Sequence, residues 1–177
     1  MQVPLVMTII GKDRTGLVES VASLVAGHGG NWLESRMCRL GGEFAGILRI
    51  VVPAEKQAAL VQALKGLQAQ GLNVVISTNE PGTAPAAGKF TALEIVGQDR
   101  PGIIRQISHA LASQGVNVEE LSSELVSAPM SGEPLFRARA RLQLPEQCNL
   151  ASLRNELEKI AADLMVDVSF AEVEVAG

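Results

Sequence analysis

The sequence contains no tyrosine, one tryptophan and four phenylalanines in 177 residues. So few aromatic rings leave no stacking platform for single-stranded nucleic acid. The basic surplus that a phosphate backbone demands is also missing. Fifteen Lys and Arg face nineteen Asp and Glu, for a net charge of −4, and no basic cluster stands out, so direct nucleic-acid binding is not expected. Cys38 and Cys148 sit in no metal or redox spacing and read as two reduced thiols of a cytoplasmic protein. There are two histidines. His28 closes an apolar stripe, as a core or capping residue, and His109 faces outward on its helix; neither has a Cys or acidic partner at ligand spacing. The apolar run from Val3 to Ile10 is too short to span a bilayer and lacks a basic leader; it reads as a strand, with no membrane association. A Walker lysine, a dinucleotide glycine fingerprint, a nucleophile elbow and a paired acid–base set are all absent. No catalytic residue, no metal ligand and no cofactor are therefore expected, and the chain reads as non-enzymatic.

What is present is a folded composition, 47% hydrophobic and 19% charged, and an internal repeat. Gly11-Lys12-Asp13-Arg14-Thr15-Gly16-Leu17-Val18 returns as Gly97-Gln98-Asp99-Arg100-Pro101-Gly102-Ile103-Ile104, at an offset of 86 residues. The offset holds without a gap through Val25 and Leu111 to Asn31 and Asn117, and to Glu34 and Glu120. Two copies are too long and too few for a solenoid. They indicate two tandem domains, residues 1–78 and 89–177, joined by a Pro/Gly/Ala-rich linker at 79–88. Domains this small bury a modest share of their surface, so they are expected to pack on each other or on a second chain.

Each copy has the same order of periodicities. In the first, Val3–Ile10 is a buried strand. Gly16–His28 is a helix with Leu17, Val18, Val21, Leu24 and Val25 on one face, capped by Asp13 or Thr15 and stopped by Gly27, Gly29 and Gly30. Asn31–Leu40 and Glu43–Val52 are strands joined by a Gly41-Gly42 hairpin. Glu55–Gln70 is a helix and Leu72–Thr78 a strand. In the second, strands at Phe90–Val96, Val116–Val126, Leu135–Leu144 and Met165–Val173 alternate with helices at Pro101–Gln114 and Asn149–Asp163. The expected fold is α+β: two ferredoxin-like β-α-β-β-α-β domains, each an antiparallel four-stranded sheet with two helices on one face. One strand differs between copies. Arg137, Arg139 and Arg141 alternate with apolar residues, whereas Ala45, Ile47, Arg49 and Val51 occupy the matching face in the first copy. The arginines either pair with Glu120 and Glu124 on the neighbouring strand or form an anion site. The apolar face of the first copy calls for cover by the other domain or another chain.

The repeated strand–loop–helix corner carries the candidate chemistry. A helix N-terminus presents free N–H groups and partial positive charge, a seat for a carboxylate. Gly102 opens the backbone to a ligand, Pro101 fixes the first turn, and Asp99 offers an acceptor for an ammonium group. Asn117 opens the next strand, expected beside the first, with an amide that donates and accepts. Such a set can hold an α-amino acid. The plainer reading is a tight turn with an Asp cap.

Asp99-Arg100-Pro101-Gly102-Ile103-Ile104, followed by Gly115-Val116-Asn117-Val118-Glu119, resembles an ACT domain, and Asp13-Arg14-Thr15-Gly16-Leu17-Val18 with Gly30-Asn31-Trp32 resembles it more loosely. The likeness covers nearly the whole chain. A stand-alone tandem pair is similar to the glycine cleavage system transcriptional repressor family. That resemblance implies a small amino acid ligand, glycine first, a protein partner such as a transcriptional activator, and homo-oligomers. It marks Asp99, Arg100, Pro101, Gly102 and Asn117, and in the first copy Asp13, Arg14, Gly16 and Asn31. Many members carry Asn where this chain has Asp13 and Asp99, so the resemblance names a ligand class rather than one compound. The alternatives are a ligand-free oligomerisation or interaction module, and a detached regulatory subunit of a biosynthetic enzyme.

Overall fold

In the computed structural model the described residues are 1–77, 89–128, 132–171 and the backbone of 174–175. The chain divides into two compact units, residues 1–84 and 85–177. The expected linker at 79–88 lies outside the described residues.

The first unit runs β1 (Gln2–Lys12), α1 (Leu17–Gly27), β2 (Asn31–Leu40), β3 (Glu43–Pro53), α2 (Ala54–Gly66), a 3-10 turn at Leu67–Gln70, and β4 (Leu72–Ser77). The second runs β5 (Lys89–Gln98), α3 (Ile103–Ser113), β6 (Asn117–Ser127), β7 (Pro134–Leu144), α4 (Leu150–Leu164), β8 (Val166–Phe170) and a short β9 (Glu174–Val175). All pairings are antiparallel, with strand orders β2-β3-β1-β4 and β6-β7-β5-β8; β9 adds to β5 at Lys89 and Phe90. The split β-α-β-β-α-β order is thus present twice.

Alternation along the central strands builds each core. Leu5, Met7 and Ile9 of β1 and Leu48, Ile50 and Val52 of β3 point to the helix side, where Leu17, Val21 and Val25 of α1 and Leu60 and Leu64 of α2 cover them. Leu93 and Ile95 of β5 and Ala138, Ala140 and Leu142 of β7 meet α3 and α4 in the same way. Each fully buried aliphatic side chain contributes about 1.5–3 kcal/mol through removal from water. Thr91, buried on β5, is satisfied by donating from Oγ1 to the Ala171 carbonyl at 3.0 Å. Both first helices close alike. Gly29 and Gly30 donate to Ala26 and Val25, each at 2.9 Å, and Gly115 and Val116 donate to Ala112 and Leu111, each at 3.0 Å, a two-bond closure that satisfies the last carbonyls.

Several expectations need correction. Val18 is exposed rather than on the core face, because it lies about 100° around the helix from Leu17, which claims that face with Val21 and Val25. The second helix of the first unit stops at Gly66 and tightens into the 3-10 turn before Gly71. The last strand begins at Val166, because Met165 has a left-handed backbone (φ 55°) and closes α4 instead. Residues 172–173 of the expected strand lie outside the described residues. Most consequential for the site, β2 and β6 do not lie beside the first strand of their unit. They are edge strands, separated from β1 and β5 by β3 and β7, since each pairs only with the strand that follows it, and that following strand pairs in turn with the first.

Two glycine substitutions test this packing with opposite signs. A Cβ on Gly97 would stand 2.6 Å from Val166 Cα and 2.8 Å from the Met165 carbonyl oxygen. Gly97→Ala should cost about 1–3 kcal/mol in urea unfolding, as overpacking does. Gly66 ends a helix with φ −61° and nothing near its missing Cβ. Gly66→Ala should raise stability by about 0.4–1 kcal/mol.

Candidate functional site

The corner begins where the first strand of each unit meets the last. Gly97 lets the Met165–Val166 backbone approach β5 closely, and Gly11 does the same for Gly71–Leu72. The chain then turns and starts a helix from a left-handed glycine, Gly102 (φ 97°) or Gly16 (φ 90°). At these angles a Cβ would be strained, and the position is one for glycine. The Gly102 carbonyl accepts from Gln106 N–H at 3.0 Å and the Gly16 carbonyl from Ser20 N–H at 2.9 Å, so both helices are anchored by glycine backbone.

No side chain caps either helix. That corrects the expected caps from Asp13, Thr15 and Asp99: with glycine at the cap position, those residues lie too far upstream. Pro101 likewise sits in the turn before α3 rather than in its first turn, since the helix starts at Ile103. The uncapped amides of Ile103, Ile104 and Arg105 thus keep the donor capacity a helix start presents.

The structure holds the charged pair of each corner differently. Arg14 Nη2 donates to the Gln70 carbonyl at 3.2 Å. Arg100 Nη2 reaches Gln98 Oε1 at 3.4 Å and Met165 Sδ at 3.6 Å. Each arginine therefore straps its corner to the junction ahead of the last strand. Asp13 is taken by Arg39 Nε at 2.6 Å, an ion pair that sequence reasoning did not anticipate. Asp99 is exposed and joins no hydrogen bond or ion pair among the described residues. The corner of the second unit is the more open one.

Asn117 is not brought to this corner. It pairs in register with Gln143, which faces Phe90, whereas the corner follows Gln98 at the other end of β5. Eight strand residues separate the two levels, roughly 26 Å. Asn31 stands in the same relation to Asp13, level with Pro4 through Val51. Asn117 Nδ2 donates instead to Glu119 Oε1. The amide and the corner of one unit cannot touch the same small molecule.

His28 is half-buried, and its Nδ1–H donates to the Leu24 carbonyl at 2.8 Å, a cap at the end of α1. In the arginine row, Arg137 faces Glu124 at 3.8 Å and Arg139 meets Glu94 at 3.0 Å. Arg141 stacks over Phe90, 4.8 Å from the ring centre, and is in register with Glu120. Glu94 and Phe90 went unnoticed in the sequence, although the alternation of β5 around buried Leu93 and Ile95 puts Glu94 on the arginine face. Among the described residues no three His, Cys, Asp or Glu side chains gather as a metal site, and no helix is long and apolar enough to cross a membrane.

A family model described as the ACT domain matches residues 3–77. A UPF0237 protein of Methanopyrus kandleri is 35% identical over 75 residues, which span 42% of this chain and 77% of that protein. The chain belongs to the ACT-domain family. It is a tandem ACT-domain protein, because the second unit repeats the motif and topology of the first. Over its greater length it resembles the glycine cleavage system transcriptional repressor of Escherichia coli, 22% identical over 164 residues that cover 90% of this chain and 85% of the relative. An unknown protein from Galdieria sulphuraria has the same tandem ACT fold, with a TM-score of 0.81, 27% identity and coverage of 99% of this chain and 100% of that one. A solved structure provisionally described as a glycine cleavage system transcriptional repressor follows with a TM-score of 0.71, 21% identity and coverage of 99% of both chains.

Met165 stands where the first ACT unit has Gly71, before the last strand, with its left-handed backbone intact and its side chain against Arg100. Met165→Gly should raise stability by about 1 kcal/mol in chemical denaturation, by relieving a non-glycine left-handed residue. The reverse change, Gly71→Met, should lower it by a similar amount.

Proposed function

We propose that this tandem ACT protein is a non-enzymatic, cytoplasmic sensor of a small amino acid, glycine first, that regulates amino-acid metabolism through a protein partner. The observation that carries the reading is the corner of the second unit. An uncapped helix start beside an unpaired carboxylate offers complementary seats for the α-carboxylate and α-ammonium groups of one amino acid. The length-wide likeness to the glycine cleavage system transcriptional repressor supports a regulatory role of the same class.

The 26 Å gap shapes the mechanism. If both Asp99 and Asn117 contact the ligand, the corner comes from one chain and the amide from a second copy. Asp99, Arg100, Pro101 and Gly102 then form one wall and Asn117 the other, and ligand binding drives assembly. A ligand that favours the assembled state shifts the population by its differential affinity and by nothing else. In the first unit, Asp13 is engaged by Arg39, so Asp13, Arg14, Gly16 and Asn31 form the weaker site.

A second reading has its own observation. On the sheet face of the first unit away from the helices, Ile10, Ile47 and Val75 are 45%, 55% and 68% exposed. Thr8 pairs with Ile47 on one side and Val75 on the other, and Ile10 lies two residues along the same strand, so these apolar side chains share one face around Thr8, as a ligand-free interaction module would present them.

A thermal-shift screen against the twenty amino acids separates the readings. A ligand at a hundred times its dissociation constant stabilises the native state by about 2.7 kcal/mol. The sensor reading expects a selective upward shift with glycine or another small amino acid. Asp99→Ala should abolish it, while Asn117→Ala should abolish it together with ligand-driven assembly in sedimentation velocity. A uniform absence of shift at millimolar concentration favours the interaction module.

A further inference from the structure

The second unit contains a cleft on the opposite side of its sheet from the helices, and nothing in the amino-acid-sensing reading uses it. It has a volume of about 200 Å³ and is lined by Ser122, Ser123 and Glu124 of β6 and Arg137 and Arg139 of β7. The arginine row divides here. Arg139 spends its Nε and Nη2 on Glu94, both at 3.0 Å, and Arg141 lies over Phe90. Arg137 has no such settlement. Its one ion pair, Nη1 to Glu124, is 3.8 Å long, beyond hydrogen-bond range, and its Nε is buried with no partner among the described residues. Arg49 Nε of the first unit is likewise buried without a hydrogen bond, but it lies 2.9 Å from Glu34 Oε1, whereas the carboxylate nearest Arg137 stands 3.8 Å away; a buried guanidinium N–H left so unmatched calls for an explanation. The hydroxyl of Ser122, in register with Arg139 on the same face, also joins no hydrogen bond among the described residues, whereas Ser123, opposite Ala138, turns its side chain to the helix side and lines the cleft by its backbone.

We infer that this cleft binds a small oxyanion, a phosphate or carboxylate group, held by the planar fork of Arg137 with Arg139 and the Ser122 hydroxyl beside it. Guanidinium forks match such anions in a bidentate way that a lone ammonium does not. The first unit supplies an internal contrast. By strand register, Arg36, Met37, Cys38, Ala45 and Ile47 take the places of Ser122, Ser123, Glu124, Arg137 and Arg139. That pattern has neither the paired arginines nor the hydroxyl, so the site occurs once per chain. Glu124 is the local competitor. It holds Arg137 loosely, and its charge opposes an incoming anion.

Equilibrium dialysis of the full chain at low ionic strength, with inorganic phosphate in one series and succinate in another, tests this. Saturable binding of one anion per chain is expected, and the tighter series identifies the source as phosphate or carboxylate. Arg137→Gln should weaken it by about tenfold or more, Glu124→Gln should tighten it, and Arg49→Gln in the first unit should leave it unchanged. Circular dichroism reports whether each variant is folded. If Arg137→Gln fails to fold, Glu124→Gln decides alone, and unchanged or weaker binding by that variant overturns the inference. Absence of saturable binding to either anion at millimolar concentration, or equal binding by folded Arg137→Gln, also overturns it.

Discussion

The close approach of the last strand to the end of the first is the constraint on which each unit depends. Gly97 faces the Met165–Val166 backbone at distances no side chain tolerates, and Gly11 faces Gly71–Leu72 in the same way. That contact fixes where the first strand ends. The left-handed glycine five residues after that glycine in each unit then fixes where the helix begins, and the corner arginine ties the loop to the same junction. Because glycine occupies the cap position, no side chain consumes the first amides of the helix. The geometry that makes the fold compact at this end is the same geometry that leaves donor groups exposed there.

The two units use this shared frame with different chemistry around it. In the first, Arg39 neutralises Asp13 and the sheet face away from the helices is apolar around Ile47. In the second, Asp99 has no partner among the described residues, and the same face carries an arginine row in which Arg139 is paired with Glu94 while Arg137 stands 3.8 Å from Glu124. One cross-strand element persists in both: Arg49 meets Glu34 at 2.9 Å, and Arg141 is in register with Glu120. Duplication with divergence of this kind separates a face suited to apolar association from one suited to charge, while the cores remain equivalent.

Much of the fold was legible because period and punctuation agreed. Strands alternating around Leu5, Met7 and Ile9, a helical stripe at Leu17, Val21 and Val25, and glycines at the turns all pointed to one topology. The site was less legible. The capping roles assigned to Asp13 and Asp99 failed because a left-handed glycine can begin a helix without a side-chain cap, and sequence spacing does not register backbone handedness. Asn117 was set beside the corner because strand order was read as chain order. Pairing of β7 with β5 puts β6 at the sheet edge, and α3 returns the chain to the other end of the sheet before β6 begins, so Asn117 lies a strand's length from the corner. The Met165 contact was visible only as a methionine at the position of Gly71, a departure from the repeat whose meaning needed coordinates.

The central claim is that the corner of the second unit receives an amino acid at an uncapped helix start. Amide chemical-shift mapping on the isotope-labelled full chain, titrated with glycine and then with the other small amino acids, addresses it most directly. The account predicts saturable shifts at the amides of Gly102, Ile103, Ile104 and Arg105, with smaller changes at the matching Gly16, Leu17 and Val18. Saturable shifts that leave these amides unmoved, or no shifts with any amino acid, would contradict it.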